Sequence, residues 1–289
     1  MGGCPHRSAT DAILALTHDI ELGHQHKQTT SALFMDVKGA FDNVSRHRLI
    51  HTMTEMGLPA PLVSWTNHFM TNRSIALAFD GEEEDLHPVE TGIPQGSPTS
   101  PILFLIYLQP LFVRLEESGL DISMPSYMDD VALTTKSTSI HANIHTLEQA
   151  ANIAFEWAGT NAVAFDDPKS ELIHFHQQRQ LVTEDHRLRL PNGTLVTPKS
   201  CLRWLGVWMD SKLSFKEHVK IKAAAALRAF KSIRQLANTE KGLSTSGMRT
   251  LYQACVVSIA DYGILGEGGL QLLHALQRGA VADIFIRVD

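Results

Sequence analysis

Two aspartates, Asp129 and Asp130, stand side by side at the tip of an apolar stretch, in Ser126-Tyr127-Met128-Asp129-Asp130-Val131 with Pro125 just upstream. Adjacent carboxylates contribute nothing to packing there. Held together, they raise each other's pKa and oppose folding unless a cation lies between them. A metal ion is the natural guest, and the chain then has to fold so that further oxygen ligands reach the same point. An exposed Asp-Asp turn is the plain alternative, and other segments decide between the two.

Residues 31–37, Ser-Ala-Leu-Phe-Met-Asp-Val, form a short apolar run with one acid near its end. This predicts a buried strand that carries Asp36 to its C-terminal edge. An unpaired charge in that setting costs several kcal/mol and calls for compensation. Placed beside Asp129 and Asp130, Asp36 completes a set of three hard oxygen ligands suited to Mg²⁺, which keeps waters and takes phosphate oxygens as its other ligands. Two such ions about 4 Å apart activate an attacking hydroxyl and stabilise a leaving pyrophosphate. A third segment, Gly92-Ile93-Pro94-Gln95-Gly96-Ser97-Pro98-Thr99-Ser100-Pro101, precedes the apolar residues 102–108. Its glycines and prolines predict a rigid loop, and Ser or Thr ahead of Pro predicts a capped helix start whose free amides face a phosphate or base.

In order and wording these segments resemble the polymerase motifs of reverse transcriptases of non-LTR (LINE-type) retrotransposons. Residues 34–44 (Phe-Met-Asp-Val-Lys-Gly-Ala-Phe-Asp-Asn-Val) resemble the first palm motif, residues 92–101 the loop that positions template and nucleotide, and residues 127–130 the catalytic turn. Residues 165–175 are similar to the lysine-bearing segment, and Trp204-Leu205-Gly206-Val207 to the primer-grip hairpin. The resemblance implies an α+β right-hand palm with an antiparallel sheet and packed helices, followed by a helical thumb. It implies RNA-directed DNA polymerisation on an RNA template, from a DNA primer and deoxynucleoside triphosphates, with two Mg²⁺ ions or Mn²⁺ in their place. It also implies roles: Asp36 and Asp129 as metal ligands with Asp130 supporting and the Val37 backbone assisting, and Lys169 as a proton donor or neutralising charge for pyrophosphate. Phe41 would exclude a 2′-hydroxyl, Gln95, Gly96 and Ser97 would meet template or nucleotide, and Leu205, Gly206 and Val207 would meet the primer end. Each residue also has a plain structural role to set beside this: Phe41 as core, Gln95 and Gly96 as loop geometry, Lys169 as a strand-edge lysine.

The net charge of −6 suits a nucleic-acid enzyme only once the chain is divided. Residues 1–198 hold 12 Lys and Arg against 24 Asp and Glu, while residues 199–289 hold 13 against 7. A basic last third is what a subdomain gripping a phosphate backbone needs. The longest apolar runs are too short to span a membrane, and the N-terminus lacks the apolar stretch of a secretory signal, which points to the nucleus or cytoplasm. Three cysteines, Cys4, Cys201 and Cys255, are too few and too scattered for a disulfide framework or a zinc module. The histidine pairs 24/26, 141/145 and 174/176 lack cysteine partners at zinc-site spacing.

Along the chain, apolar periodicity predicts a helix over 8–28, helices starting at Ser45 and Pro61, and strands over 74–79 and 89–91 around a solvated acidic tip at 82–85. It further predicts a buried helix over 101–117, a hairpin bent at Asp129-Asp130, and a helix over 139–157. An Asn-Gly hairpin follows at 188–196, then helices over 216–236, which carries Lys220, Lys222, Arg228, Lys231 and Arg234, and 247–264, and a last helix at 272–278. The expected domains are a remnant of the fingers at 1–30, the palm at 31–180, the primer-grip connection at 181–210 and the thumb at 211–289. Little sequence precedes the first motif, so the resemblance implies a fragment from which most of the fingers is missing. A catalytically inactive remnant that only binds nucleic acid is the competing expectation. An unrelated Mg²⁺ phosphotransferase leaves the glycine-proline loop and the basic tail unexplained.

Overall fold

The computed structural model describes residues 6–177, 186–236 and 242–263. The chain divides into two compact units, Met1–Lys199 and Ser200–Asp289. The helix expected at 272–278 lies outside the described residues.

In the first unit, helix α1 (Ala9–Gln25) starts in a capping box: Ser8 Oγ accepts from the Asp11 N–H, and the Asp11 carboxylate accepts from the Ser8 N–H at 2.7 Å. It ends three residues earlier than its apolar pattern suggests. Lys27 turns left-handed at φ 55°, and the Gln28 N–H reaches back to the Gly23 carbonyl at 2.8 Å. Strand β1 (Thr29–Asp36) follows, buried from Thr29 through Met35. Helices α2 (Arg46–Glu55) and α3 (Ala60–Phe69) come next, with Ser45 capping α2 as expected.

The strands expected over 74–79 and 89–91 take the form of two short ladders. Strand β2 (Arg73–Ile75) pairs with β5 (His87–Val89), and between them β3 (Ala78–Phe79) pairs with β4 (Glu82–Glu83). Part of the acidic tip is therefore strand. The Asp80-Gly81 turn, with both residues at positive φ, folds it back on Phe79, whose side chain is 86% exposed. Acidic sequence hid the pairing because ladder hydrogen bonds use backbone groups and do not require an apolar face.

Helix α4 (Ser100–Glu117) is buried on one side through Leu103, Phe104, Tyr107, Leu108 and Leu111, whereas Ile102 is half exposed. It is thus less enclosed than its apolar first half implied. Thr99 makes no side-chain cap; instead Ser100 Oγ donates to the Pro94 carbonyl at 2.5 Å, tying the helix start to the preceding loop. Strand β6 (Asp130–Ser137), helix α5 (Ile140–Thr160) and strand β7 (Glu171–Phe175) complete the palm-like layer. Strands β8 (Leu188–Arg189) and β9 (Leu195–Val196) form the Asn-Gly hairpin, and β10 (Pro198–Lys199) lies parallel to β7. The sheet order is β10-β7-β1-β6, with β1 antiparallel to both neighbours. Leu33 and Met35 of β1, Val131 and Leu133 of β6 and Leu172 of β7 share one core with Phe104 and Leu108 of α4 and Leu147 and Trp157 of α5. Burying each such side chain is worth about 1.5–3 kcal/mol, which lets the sheet tolerate charges and strain at its end.

One buried polar network crosses this sheet. Asn143 Nδ2 donates to the Thr29 carbonyl at 2.7 Å and to Ser31 Oγ at 3.0 Å, and Ser31 Oγ lies 2.7 Å from His174 Nδ1. Burial is the main force holding His174 down at about 4, below the ordinary 6.5. His174 stays neutral in the fold and takes up a proton once unfolded, so its contribution is intact above pH 6.5 and is lost as pH falls toward 4. By pH 5 the loss from this one group is about 2 kcal/mol. Between pH 7 and 5, urea unfolding is expected to show wild type losing about that much more stability than His174→Gln; equal losses would mean that the fold accommodates the charge.

The second unit opens with strands β11 (Cys201–Trp204) and β12 (Val207–Asp210), paired antiparallel. Asp210 then accepts from the Ser214 and Phe215 N–H groups at 3.0 and 2.9 Å, folding the chain into helix α6 (Lys216–Arg234). Helix α7 (Thr245–Tyr252) runs through a π-helical turn, Gln253–Val257, into α8 (Ser258–Asp261). Phe230 and Ile233 pack with Met248 and Val256 in a small core. Among the described residues no helix is long and apolar enough to cross a membrane.

Candidate active site

The antiparallel pairing of β1 and β6 decides where the acids meet. Register runs from Thr29 opposite Ser137 to Asp36 opposite Asp130, so the last pair of the ladder is two carboxylates. Like charges directly opposite on a sheet are destabilising. Asp129 precedes β6 in a two-residue turn closed by hydrogen bonds of 3.0 and 3.1 Å between the backbones of Tyr127 and Asp130. Met128 occupies that turn at φ 55°, a left-handed conformation that costs a non-glycine residue about 1 kcal/mol. The hairpin bent at the acids is thus present, although its upstream arm makes only isolated bridges at Ser123 and Tyr127. Ser126 braces that arm, its Oγ accepting from the Ala132 N–H at 3.0 Å.

The electrostatics follow from this crowding. Burial, then Asp129, then Asp36 push Asp130 up to about 6. Burial is also the first cause raising Asp129, with Asp36 adding to it. Asp36 meets a positive charge: Lys169 Nζ lies 2.7 Å from its Oδ2 and 3.0 Å from Asp166 Oδ2. Lys169 stands in a 3-10 turn, Asp167–Lys169, just before β7 and not in the strand, and its two carboxylate partners raise its pKa. Val37 donates its N–H to the Asp129 carbonyl at 3.3 Å. The bonds from Lys38 N–H to Ala164 and from Asp166 N–H to the Asp36 carbonyl, both 2.8 Å, bracket Val37 and leave its carbonyl outside that pairing.

The 92–101 loop docks on the segment after β1. Ile93 N–H donates to the Phe41 carbonyl at 2.8 Å, Gly92 N–H to the Val44 carbonyl at 2.9 Å, and Gln95 Nε2 to Asp42 Oδ1 at 3.0 Å. Phe41 is half buried and stacks on Phe104 of α4 at 5.2 Å between ring centroids. Gly96 and Gln95 are exposed at the loop tip, and Ser97 Oγ lies 2.9 Å from Thr99 Oγ1. Arg73 Nη2 donates to the Thr91 and Gly92 carbonyls, at 2.9 and 2.5 Å, and so fixes the loop's start. Sequence reading assigned no role to Asp42, Arg73 or Asp166. Only Asp166 left a local signal, an acid three residues before Lys169. Leu205, Gly206 and Val207 lie in the second unit, at the β11–β12 turn.

Three desolvated or mutually repelling carboxylates at one strand end form a donor set of hard oxygens, which fits a divalent cation. Among the described residues, no group of three or more His, Cys, Asp or Glu side chains is gathered tightly enough to hold a metal ion by itself. Bound water and phosphate oxygens would have to supply the remaining ligands, as they do for Mg²⁺ at substrate phosphates.

The order of these motifs and the antiparallel sheet that carries them define a fold of the polymerase palm type. The chain belongs to the reverse transcriptase family: the family model described as reverse transcriptase (RNA-dependent DNA polymerase) matches residues 4–209. Members of this family generally use divalent metal ions. The chain is 24% identical over 261 residues to the RNA-directed DNA polymerase from mobile element jockey of Drosophila melanogaster, covering 88% of this chain and 28% of that protein. It is 26% identical over 252 residues to the probable RNA-directed DNA polymerase from transposon X-element of the same species, covering 86% and 27%. The chain spans less than a third of the length of these relatives. Apo telomerase from Candida tropicalis shares the fold with a TM-score of 0.52 at 11% identity, over 98% of this chain and 47% of the telomerase.

Proposed function

We propose that this chain is the palm and primer-contacting part of an RNA-directed DNA polymerase of a non-LTR retrotransposon. It extends a DNA primer on an RNA template from deoxynucleoside triphosphates with Mg²⁺, in the nucleus or cytoplasm. The observation that carries this is the register of β1 and β6, which sets Asp36 opposite Asp130 with Asp129 in the adjoining turn. Asp36 and Asp129 would hold the metal ions, with Asp130 beside them and the Val37 carbonyl facing the same strand end. The ions would supply positive charge to the attacking hydroxyl and to the phosphate oxygens.

The chain's own side chains do the rest. Lys169 keeps its proton more firmly than a free lysine, because Asp36 and Asp166 hold it. That favours a role in neutralising phosphate charge over one in donating a proton. Gln95 is oriented by Asp42, and the exposed Gly96 and half-buried Ser97 follow it at a loop tip suited to template or nucleotide. Phe41, braced between Phe104 and the Ile93 contact, presents a rigid ring to the sugar and excludes a 2′-hydroxyl.

Primer extension on a poly(rA) template with an oligo(dT) primer tests this directly. Wild type is expected to extend the primer with Mg²⁺ or Mn²⁺, and Phe41→Ala to relax discrimination against ribonucleotides by roughly tenfold or more. Unchanged discrimination would return Phe41 to a packing role. No extension by wild type, with primer–template binding retained, would identify a remnant that only binds nucleic acid.

A further inference from the structure

The turn from β11 to β12 has a backbone that needs holding. Leu205 and Gly206 both lie in the left-handed region, at φ 47° and 80°, between the closing pair Trp204 and Val207. Two-residue hairpin turns with both φ values positive favour Asn-Gly, and leucine is a poor occupant of the first position. Here the compensation comes from Tyr262, which caps the end of α8. The Tyr262 hydroxyl donates to the Leu205 carbonyl at 2.7 Å. The Tyr262 ring lies against Gly206, where an added Cβ would stand 2.9 Å from Tyr262 Cε1.

His218 closes the circuit. Its Nδ1 accepts from the Trp208 N–H at 3.1 Å, so its proton is on Nε2, which donates to the Tyr262 carbonyl at 2.8 Å. The side chain is fully buried. Burial holds His218 below the ordinary imidazole range, with Lys222 acting in the same direction and the bond to Tyr262 opposing, so Nδ1 stays free to accept. Gly263, at φ 70°, packs so closely that a Cβ there would strike Val207 Cγ2 and stand 3.1 Å from His218 Nε2. The Lys222 ammonium sits 4.4 Å from the centre of the Tyr262 ring, bringing a cation to the same place.

We propose that Tyr262 and His218 are positioning residues that lock the Leu205–Gly206 turn in its left-handed form and so set the affinity for the primer end. The second part rests on the assignment of residues 205–207 as the primer contact. The lock ties a half-exposed turn to Tyr262, which is 41% exposed, and so serves presentation of backbone more than burial of apolar surface. Lys222 beside it suits the phosphate of a nucleic-acid strand.

Amide hydrogen exchange on the full chain separates the two parts. In Tyr262→Phe, which loses only the hydroxyl, amides of residues 205–207 are expected to exchange about fivefold faster, and in His218→Gln the Trp208 amide about tenfold faster. In the same Tyr262→Phe protein, fluorescence anisotropy should show a DNA primer on an RNA template bound about fivefold more weakly, with the KM for deoxynucleotides unmoved. Unchanged exchange at 205–208 in both variants would overturn the lock. Faster exchange with unchanged primer affinity would keep the lock and remove residues 205–207 from the primer contact. A wild-type chain that binds no primer–template would count against the polymerase function, while exchange would still decide the lock.

Discussion

Asp129→Asn is expected to lower primer extension by on the order of 10³-fold or more, because an amide cannot balance the charge of a divalent ion and the phosphates that share it. The same change should leave the fold intact or slightly firmer. Burial and Asp36 already raise the pKa of Asp129, so the folded state holds this carboxylate against its preference for ionisation. An amide of nearly the same shape relieves that repulsion. The measurement is therefore a pair: extension rate, and melting temperature with and without Mg²⁺. Wild type should gain stability from millimolar Mg²⁺ through ligation of the folded site, and Asp129→Asn should gain less. A variant that extends primer within about tenfold of wild type would remove Asp129 from the site. A variant that is inactive and also melts well below wild type would show that Asp129 is needed to fold the turn, and would leave the metal role to the Mg²⁺ dependence of wild type.

How far this site was legible depends on the distance over which each part is determined. The buried strand ending in Asp36, the acidic turn and the cap at Ser45 are written in neighbouring residues, and the structure has all of them. The α+β palm was legible for the same reason, since alternating apolar strands and helices specify which faces must be covered. The supports of the site were not. Gln95 meets Asp42 across 53 residues and Lys169 meets Asp36 across 133, and such contacts leave no periodicity to read. The strand at Glu82–Glu83 was missed because its pairing with Ala78–Phe79 uses backbone groups, which an acidic sequence does not disclose. The Lys169 turn was missed because Asp167-Pro168 bends the chain just before β7 begins at Glu171. Local sequence thus displayed the reactive groups, while long-range contacts supplied their orientation.

Gly92→Ala is expected to cost about 3 kcal/mol or more of stability, the largest effect of a single methyl group in this site. Gly92 is buried at φ 77°, where alanine already pays about 1 kcal/mol in backbone conformation. An added Cβ would stand 2.7 Å from the Asp42 carbonyl oxygen, 2.9 Å from Asp42 Cα and 2.9 Å from the Phe41 carbonyl oxygen. All three are backbone atoms, so no side-chain rotation relieves the overlap, and the loop and the 41–42 segment must separate. Separation breaks the bonds from Ile93 to Phe41 and from Gly92 to Val44, and with them the brace on Phe41. Gly96 provides the comparison. It has φ 88° but nothing within 4 Å of an added Cβ, so Gly96→Ala should cost only the conformational term of about 1 kcal/mol. Urea unfolding of the two variants should therefore differ by about 2 kcal/mol. Gly92→Ala should also raise the KM for deoxynucleotides through displacement of Phe41. Equal costs at the two glycines would show that the loop stands clear of the Phe41–Asp42 backbone, and the ring would then need another support to discriminate between sugars.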